Sequence, residues 1–202
     1  MNEIKEDVIL HQTRWLSLLE RNYVNKNGEP SKHILASRKP EPPFAPEKPD
    51  AVIIVSFYED KLVLTSEYRV CVGDREIGFP AGIIDQSDWD ACENEDDVIG
   101  SASCRAAIRE FKEETGLDFN PLEVSPLLFS SAGMTNESVV VVHGNSTGTI
   151  SKDFMESSED IESFLLSHSE LKDFLRENSD KLFGKHAWGM LWSFSHFGYP
   201  EW

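Results

Sequence analysis

The stretch CRAAIREFKEETGLDF, residues 104–119, predicts an amphipathic helix that crowds acidic side chains onto one side. Its apolar residues follow the i, i+3, i+4, i+7 spacing of a buried helical stripe: Cys104, Ala107, Ile108 and Phe111. Gly116 stands where the pattern stops, and glycine adopts the left-handed conformation of a C-terminal cap at low cost. We therefore expect a helix that ends at Gly116 and packs its apolar stripe against a core.

Three carboxylates of this helix, Glu110, Glu113 and Glu114, project to one side, because residues three and four apart are neighbours on a helix. Like charges at this spacing cost about 0.2–0.5 kcal/mol per pair, and Arg109 can relieve only part of that repulsion. Two interpretations are open at this point: a solvated acidic face, or a site for a hard divalent cation. Mg²⁺ suits the second, since it binds oxygen ligands and completes its shell with water and substrate phosphate.

The segment REFKEETGL, residues 109–117, matches every fixed position in the core of the Nudix signature, Arg-Glu-apolar-x-Glu-Glu-x-Gly-apolar. The chain therefore resembles the Nudix hydrolases. The complete signature also places a Gly, five residues, a Glu and seven residues before that Arg. Counted strictly, Glu95 takes the Gly position and Ser101 the first Glu position. Gly82 fits the Gly position better if about 13 residues are inserted between it and Gly100, which leaves Ser101 as a departure from the signature.

The resemblance extends beyond the signature and covers most of residues 13–195. YRVCVGDREIGFPAGIID, residues 68–85, is similar to the segment that precedes the signature in ADP-ribose and nucleotide-sugar pyrophosphatases, although Gly78 stands where those proteins have a Glu. SSAGMTNESVVVV, residues 130–142, resembles a later loop of the same group that carries an acidic residue between two strands.

The resemblance implies an α+β fold, an αβα sandwich with an N-terminal β module. It further implies a metal site for Mg²⁺, or for Mn²⁺ in its place. The carbonyl of Ala81 and the carboxylates of Glu110 and Glu114 would coordinate the ion, and Glu113 would assist a further ion.

The same resemblance indicates a catalytic set of Arg109, Glu113 and Glu137. Glu137 is the candidate general base, because related enzymes place a carboxylate on its loop; an ordinary loop Glu is the alternative interpretation.

Arg69, Arg38 and Trp15 are the candidate substrate-binding residues. A guanidinium matches the oxygens of a phosphate, so the two arginines would hold the phosphates or the terminal ribose. Trp15 would stack on the base, as an aromatic residue of the N-terminal module does in relatives. The alternatives are surface ion pairs for the arginines and a packing role for the tryptophan.

The implied function is hydrolysis of a nucleoside diphosphate linked to another group, first ADP-ribose and then other nucleotide sugars. The products would be a nucleoside monophosphate and a sugar phosphate. One alternative is a Nudix hydrolase of dinucleotides or dinucleoside polyphosphates, because Gly78 and the inserted residues border the pocket. Another is a nucleotide-binding module without catalysis, which Ser101 favours and the three intact glutamates oppose.

The charge balance limits the partners, since 36 acidic residues face 19 lysines and arginines and leave a net charge of −17. Such a chain repels nucleic acids and anionic membrane surfaces. The first residues are acidic where a signal peptide is basic, and no stretch approaches the roughly 18 apolar residues of a spanning helix. Three separated cysteines predict neither disulfides nor a zinc site. We expect a cytoplasmic protein with a nucleotide-type substrate and, by analogy with the family, a homodimer.

A proline-rich stretch, residues 38–50, divides the chain into two predicted parts. Residues 1–47 form a strand module and linker, with two extended segments around a turn at Asn27-Gly28. Residues 48–202 form the Nudix domain, with an acidic surface insertion near 86–99. Elements expected in the second part are a hairpin (51–57 and 61–67), strands at SPLLFS, SVVVVHG and 161–166, and helices at 170–177 and 187–194.

Overall fold

The computed structural model describes residues 1–39, 48–92, 96–157 and 159–199. Most of the proline-rich stretch, part of the predicted insertion and the last three residues lie outside the described residues. The strands are β1 (Glu3–Gln12), β2 (Ser17–Val24), β3 (Pro30–Ser37), β4 (Ala51–Tyr58), β5 (Lys61–Arg69), β6 (Asp74–Gly78), β7 (Ala81–Ile83), β8 (Asp118–Val124), β9 (Leu128–Phe129), β10 (Ser138–Thr147), β11 (Ile161–Ser167) and β12 (Leu182–Phe183). The helices are α1 (Gln86–Asp90), α2 (Val98–Thr115), α3 (His168–Glu177) and α4 (Lys185–Phe197).

The chain divides into two compact units, and the first comprises residues 1–51 and 126–140. Its main feature is an antiparallel sheet in the order β1-β2-β3. The predicted turn between β2 and β3 is confirmed, and Gly28 adopts a φ of 84° there. β1 was not predicted, because its polar and apolar residues do not alternate regularly and its pairing with β2 contains two register shifts.

The second unit, residues 52–125 and 141–202, contains most of a mixed sheet in the order β12-β6-β5-β4-β10-β8. The hairpin of β4 and β5 is confirmed, and so are the predicted strand β11 and the helices α3 and α4. β11 pairs with β5, and β12 is the parallel neighbour of β6. The combination of a mixed sheet and packed helices confirms the predicted α+β sandwich. β8 was not predicted, since DFNPLEV contains a proline and lacks strict alternation.

The core of the second unit lies between the central strands and α2. Apolar side chains with no solvent exposure fill it: Val52, Ile54, Val55, Leu62, Leu64, Phe111 and Leu117. α2 packs against β7, β8 and β11, and α1 packs against α2. This packing fixes the orientation of α2 relative to the strand β7, which carries part of the predicted site. None of the described helices is long and apolar enough to cross a membrane.

α2 is longer than predicted and is rotated relative to the predicted stripe. It begins after the N-cap Asp97, whose side chain accepts a hydrogen bond from the Gly100 amide, and ends at Gly116 as predicted. Ile108, expected in the core, is 44% exposed, whereas Glu114 of the expected acidic side is buried, as is Ala106. The small side chains on that face allow close packing against the sheet, so the helix buries a carboxylate together with its alanines.

The described part of the acidic insertion is not simply a surface excursion, which corrects the sequence interpretation. It forms the short helix α1, whose Trp89 is 9% exposed. Cys92 has no solvent exposure, and Asp88 is also buried. These side chains anchor the start of the insertion in the second unit.

Candidate active site

The predicted metal-binding residues converge where β7 lies against the middle of α2. The Ala81 amide donates to the carboxylate of Glu114, with nitrogen–oxygen distances of 3.3 and 3.5 Å. Ala81 therefore lies beside the carboxylates of α2, which is the proximity that the resemblance implied.

Gly82 makes room for Glu110. A Cβ atom at Gly82 would lie 1.9 Å from Cδ of Glu110, well inside van der Waals contact. Only a residue without a side chain allows the Glu110 carboxyl to rest over the backbone at this position. The placement of the Glu110 carboxylate therefore explains why position 82 is a glycine.

Glu114 is buried, with 4% of its surface exposed. Among the described residues it has no cationic partner within ion-pair distance, and the weak hydrogen bond from Ala81 is the stabilising contact of its carboxylate. Burial raises the pKa of Glu114 well above its usual range, and the charges of Glu67 and Glu110 raise it further. A buried carboxylate in this situation takes up either a proton or a cation.

Glu110 is partly neutralised by Arg109, whose Nη1 lies 2.8 Å from Oε1 of Glu110. Burial nevertheless raises the pKa of Glu110 to about 7, against the opposing effect of Arg109. The same Nη1 lies 3.3 Å from Oε2 of Glu113, which is one helical turn further along. Arg109 therefore links two of the predicted metal-site glutamates.

Glu67 and Glu159 join these glutamates from distant parts of the chain. Glu67, on β5, has a pKa raised by burial and by the nearby charge of Glu159. The charge of Glu159 also raises the pKa of Glu110 and Glu114, and the pKa of Glu159 itself is raised by burial and by Glu113. Because the charges of these groups act on one another, we refer to Glu67, Glu110, Glu113, Glu114 and Glu159 together as the carboxylate cluster.

Arg69 lies at the edge of the carboxylate cluster. Its Nη1 is 2.8 Å from Oε1 of Glu67, and its Nε is 3.7 Å from Oε2 of Glu76. The structure therefore brings this predicted substrate-binding residue to the cluster, but engages it with two carboxylates. Its side chain remains 40% exposed.

The other predicted residues, Glu137, Arg38 and Trp15, belong to the first unit. The Nε of Arg38 lies 2.5 Å from Oε1 of Glu137, so the candidate base and a candidate phosphate ligand form an ion pair with each other. Trp15 is 66% exposed, and the guanidinium of Arg14 lies 4.5 Å from its ring centre.

The cluster fits a divalent metal ion by its chemistry. Hard cations prefer carboxylate oxygens, and Glu114 is a buried carboxylate that needs a positive charge. Within residues 1–39, 48–92, 96–157 and 159–199, no three His, Cys, Asp or Glu side chains already stand in metal-binding positions. Glu110 points to Arg109 instead, so binding an ion requires Glu110 to turn from the guanidinium to the metal.

Sequence reasoning missed Glu67, Asp88 and Glu159 at this site. Glu67 occurs in an ordinary strand pattern, and Glu159 lies in the acidic run ESSEDIE before β11, without a recognisable motif. Asp88 offered a signal, because it stands six residues after Gly82, the Gly-to-Glu spacing of the signature. Its Oδ2 lies 3.0 Å from Nη2 of Arg109.

Comparison with known proteins shows a family match over most of the chain. The family model described as the NUDIX domain matches residues 47–185. A solved structure, the crystal structure of an ADP compounds hydrolase, aligns with a TM-score of 0.67 at 18% identity, covering 98% of this chain and 97% of the other. This alignment shows a shared fold.

Three curated relatives match parts of the sequence. ADP compounds hydrolase NudE of Escherichia coli (strain K12) is 35% identical over 92 residues, which are 43% of this chain and 42% of NudE. The ADP-ribose pyrophosphatase of Saccharomyces cerevisiae is 28% identical over 132 residues, covering 64% and 52%. Putative nudix hydrolase 2 of Caenorhabditis elegans is 30% identical over 120 residues, covering 56% and 48%. The chain spans about half the length of these relatives.

We expect the metal-free protein to lose stability as the pH rises from 5 to 8. The folded-state pKa of both Glu110 and Glu114 lies above the unfolded value of about 4.3, so the folded state binds more protons in this range. Replacing Glu114 by Gln removes one of the two titrations. Glu114→Gln should therefore melt about 2–4 °C above the wild type at pH 8, the effect of roughly 1 kcal/mol in a chain of this size.

The measurement is differential scanning calorimetry in EDTA at pH 5 and pH 8. Glu177→Gln, at an exposed position of α3, is the matched control and should follow the wild type at both values. A loss of melting temperature in Glu114→Gln that is equal at pH 5 and pH 8 would contradict the electrostatic assignment.

Proposed function

Because the chain belongs to the NUDIX domain family, we propose that it hydrolyses the pyrophosphate bond of a nucleoside diphosphate linked to another group. ADP-ribose is the first candidate substrate and other nucleotide sugars come next, giving a nucleoside monophosphate and a sugar phosphate. The observation that carries the proposal is the buried, uncompensated Glu114 beside Glu110 and Ala81. The names of the yeast and E. coli relatives support the substrate class.

We propose Mg²⁺ as the cofactor, held by Glu110, Glu114 and the carbonyl of Ala81, with Glu113 next to them. When bound, the ion would neutralise the substrate pyrophosphate, polarise its phosphorus and make a water molecule more acidic. Mn²⁺ satisfies the same oxygen ligands and is the alternative ion. Arg109 would hold Glu113 in place when Glu110 turns to the ion.

Glu159 is the general base that we propose within the second unit. It is electrostatically coupled to Glu67, Glu110, Glu113 and Glu114, and burial raises the pKa of its carboxylate, which makes it a stronger base than an exposed glutamate. Glu137, which the family resemblance indicates, is the alternative. Its carboxylate is already engaged in an ion pair with Arg38.

Arg69 is the proposed phosphate ligand at the cluster, because its exposed guanidinium can exchange Glu67 or Glu76 for a phosphate oxygen. Arg38 and Trp15 remain proposed contacts of the substrate from the first unit. At Gly78, a Cβ would meet nothing within 4 Å, so this strand end leaves open space. That space favours dinucleotides or dinucleoside polyphosphates as the second candidate substrate class.

The first unit supports a proposal that the protein forms a homodimer. Its three-stranded sheet exposes large apolar side chains, among them Ile4 (60%), Leu18 (41%) and Ile34 (48%). Buried between two copies, these side chains would contribute to association.

Sedimentation equilibrium should give twice the chain mass, and Leu18→Glu should shift the measured mass toward that of the monomer. A monomeric wild type at micromolar concentration would refute the dimer.

The substrate proposal is tested by a panel of nucleotides assayed for phosphomonoester release with Mg²⁺. The panel contains ADP-ribose, two nucleotide sugars, NADH and a dinucleoside polyphosphate. We expect the highest kcat/KM for ADP-ribose. Removing a residue that only supports a metal ligand costs about 10- to 100-fold. Glu114→Gln removes a proposed ligand itself, so it should lose more than about 100-fold in kcat while keeping its fold.

Three outcomes decide against the proposal. A substrate other than ADP-ribose at the top replaces the first candidate by the second. Undiminished hydrolysis by Glu114→Gln removes the metal assignment, and binding of nucleotides without any hydrolysis establishes a non-catalytic module. Glu177→Gln serves again as the control for the substitution.

The choice of base is tested by comparing Glu159→Gln with Glu137→Gln. Loss of a general base costs about 10²- to 10⁴-fold, so kcat of Glu159→Gln should fall by that factor and lose its rise with pH. Glu137→Gln should change kcat by less than about 10-fold. Both variants are measured across pH 5–9. If kcat falls more in Glu137→Gln than in Glu159→Gln, the general base is Glu137.

The remaining expectations concern the setting of the protein. We propose a cytoplasmic location and no nucleic-acid partner, and the net charge of −17 supports the second of these.

A further inference from the structure

The guanidinium of Arg109 is held by groups from three elements. Its Nη2 donates to the carbonyl of Ile83 on β7 at 3.0 Å and to Oδ2 of Asp88 on α1 at 3.0 Å. Its Nη1 donates to Glu110 at 2.8 Å and to Glu113 at 3.3 Å on α2. The position of this side chain therefore depends on a carboxylate outside α2.

Asp88 is the buried carboxylate that holds the guanidinium of Arg109 in position. It is 7% exposed, and the Oδ2 atom that accepts from Arg109 also accepts from the backbone amide of Asp85 at 3.0 Å. Asp85 itself is a weaker partner, because its Oδ2 lies 3.4 Å from Nη2 and its side chain is 60% exposed. A buried carboxylate with two fixed donors has little freedom to move, and it fixes Arg109 in turn.

The spacing of the sequence agrees with this geometry. Asp88 follows Gly82 by six positions, as the first Glu of the signature follows its Gly. From Asp88 to Arg109 there are 21 positions where the signature has eight, so the extra residues lie after Asp88. In this alignment the first acidic position is present, and Ser101 falls in or after the inserted residues.

We propose that Asp88, rather than a residue at position 101, occupies the first acidic position of the signature and is the positioning residue for Arg109 and Glu110. This inference rests on the proposed metal-dependent function. In this assignment the loop from Gly82 to Asp88 keeps the length that the signature has, and the inserted residues come after it.

The physical consequence concerns the competition for Glu110. Asp88 and the carbonyl of Ile83 hold Nη2 away from α2, so the guanidinium reaches Glu110 mainly through Nη1. Without the charge of Asp88, Arg109 is free to pair fully with Glu110 and Glu113. A divalent ion must then displace a stronger ion pair, and its affinity falls.

The experiment is calorimetric titration of the full chain with Mn²⁺ alone. Asp88→Asn keeps the shape of the side chain and removes its charge, and we expect the Kd for Mn²⁺ to rise about 10- to 100-fold. Asp88→Glu restores the charge and should recover most of the affinity. Asp90→Asn is the matched control, because Asp90 is an exposed residue of α1 that contacts Gln86, and it should bind Mn²⁺ like the wild type.

A second measurement separates positioning from folding. In an Arg109→Lys background, Asp88→Asn should produce no further rise in Kd, since the partner that Asp88 holds is gone. Melting temperatures are recorded for all variants. If Asp88→Asn does not fold, Asp88→Ser, which also removes the charge, is titrated in its place, and wild-type affinity in that variant overturns the proposal.

The outcomes distinguish this inference from the proposed function. Wild-type Mn²⁺ affinity in folded Asp88→Asn overturns the role of Asp88, whatever the wild type hydrolyses. A wild type that binds Mn²⁺ but hydrolyses no nucleotide refutes the proposed function, and the affinity ratio of Asp88→Asn still tests the inference. A wild type without affinity for Mn²⁺ overturns both.

Discussion

The burial of the Glu114 carboxylate is the constraint on which the site depends. The helix that carries Glu114 must pack against the sheet through its small residues, and this packing removes the carboxylate from water. An ionised group in such a position is costly unless a positive charge or a proton compensates it. The described residues supply the amide of Ala81 but no cationic side chain. The fold therefore keeps a position in which a divalent ion or a proton is required, and it accepts lower stability there.

The surrounding structure engages Glu110 only in part, through an arginine that also has other partners. Gly82 gives space to Glu110, and Arg109 balances Glu110 from one side while Asp88 and Ile83 hold its other nitrogen. An arginine shared in this way neutralises a glutamate incompletely, which is consistent with the pKa of about 7 for Glu110. A carboxylate with a pKa of about 7 is partly protonated at neutral pH. It can therefore exchange its proton or the guanidinium for a metal ion with a small free-energy change.

The sequence predicted the elements whose signals are local. The end of α2 at Gly116 and the hairpin of β4 and β5 follow from turn residues and local patterns, whereas the proximity of Ala81 to Glu114 was implied by the family resemblance. The exposure of Ile108 and the burial of Glu114 did not follow, because the core-facing side of a helix depends on which face fits the sheet. Glu67 and Glu159 reach the cluster through strand pairing between distant segments, and a single sequence carries no record of that pairing.

The charges near the cluster indicate that a diphosphate, the group we propose as substrate, would need a metal ion to bind there. Arg69 is engaged with Glu67 and Glu76, and Arg109 with Asp88 and Glu110, so both guanidinium groups at the cluster are already balanced. A diphosphate that approached five glutamates and two balanced arginines would meet net repulsion. One or two bound divalent ions would reverse the sign of the potential locally and leave the remaining surface acidic. The net charge of −17 would then act against nonspecific polyanions, and a ligand that shares the metal would overcome it.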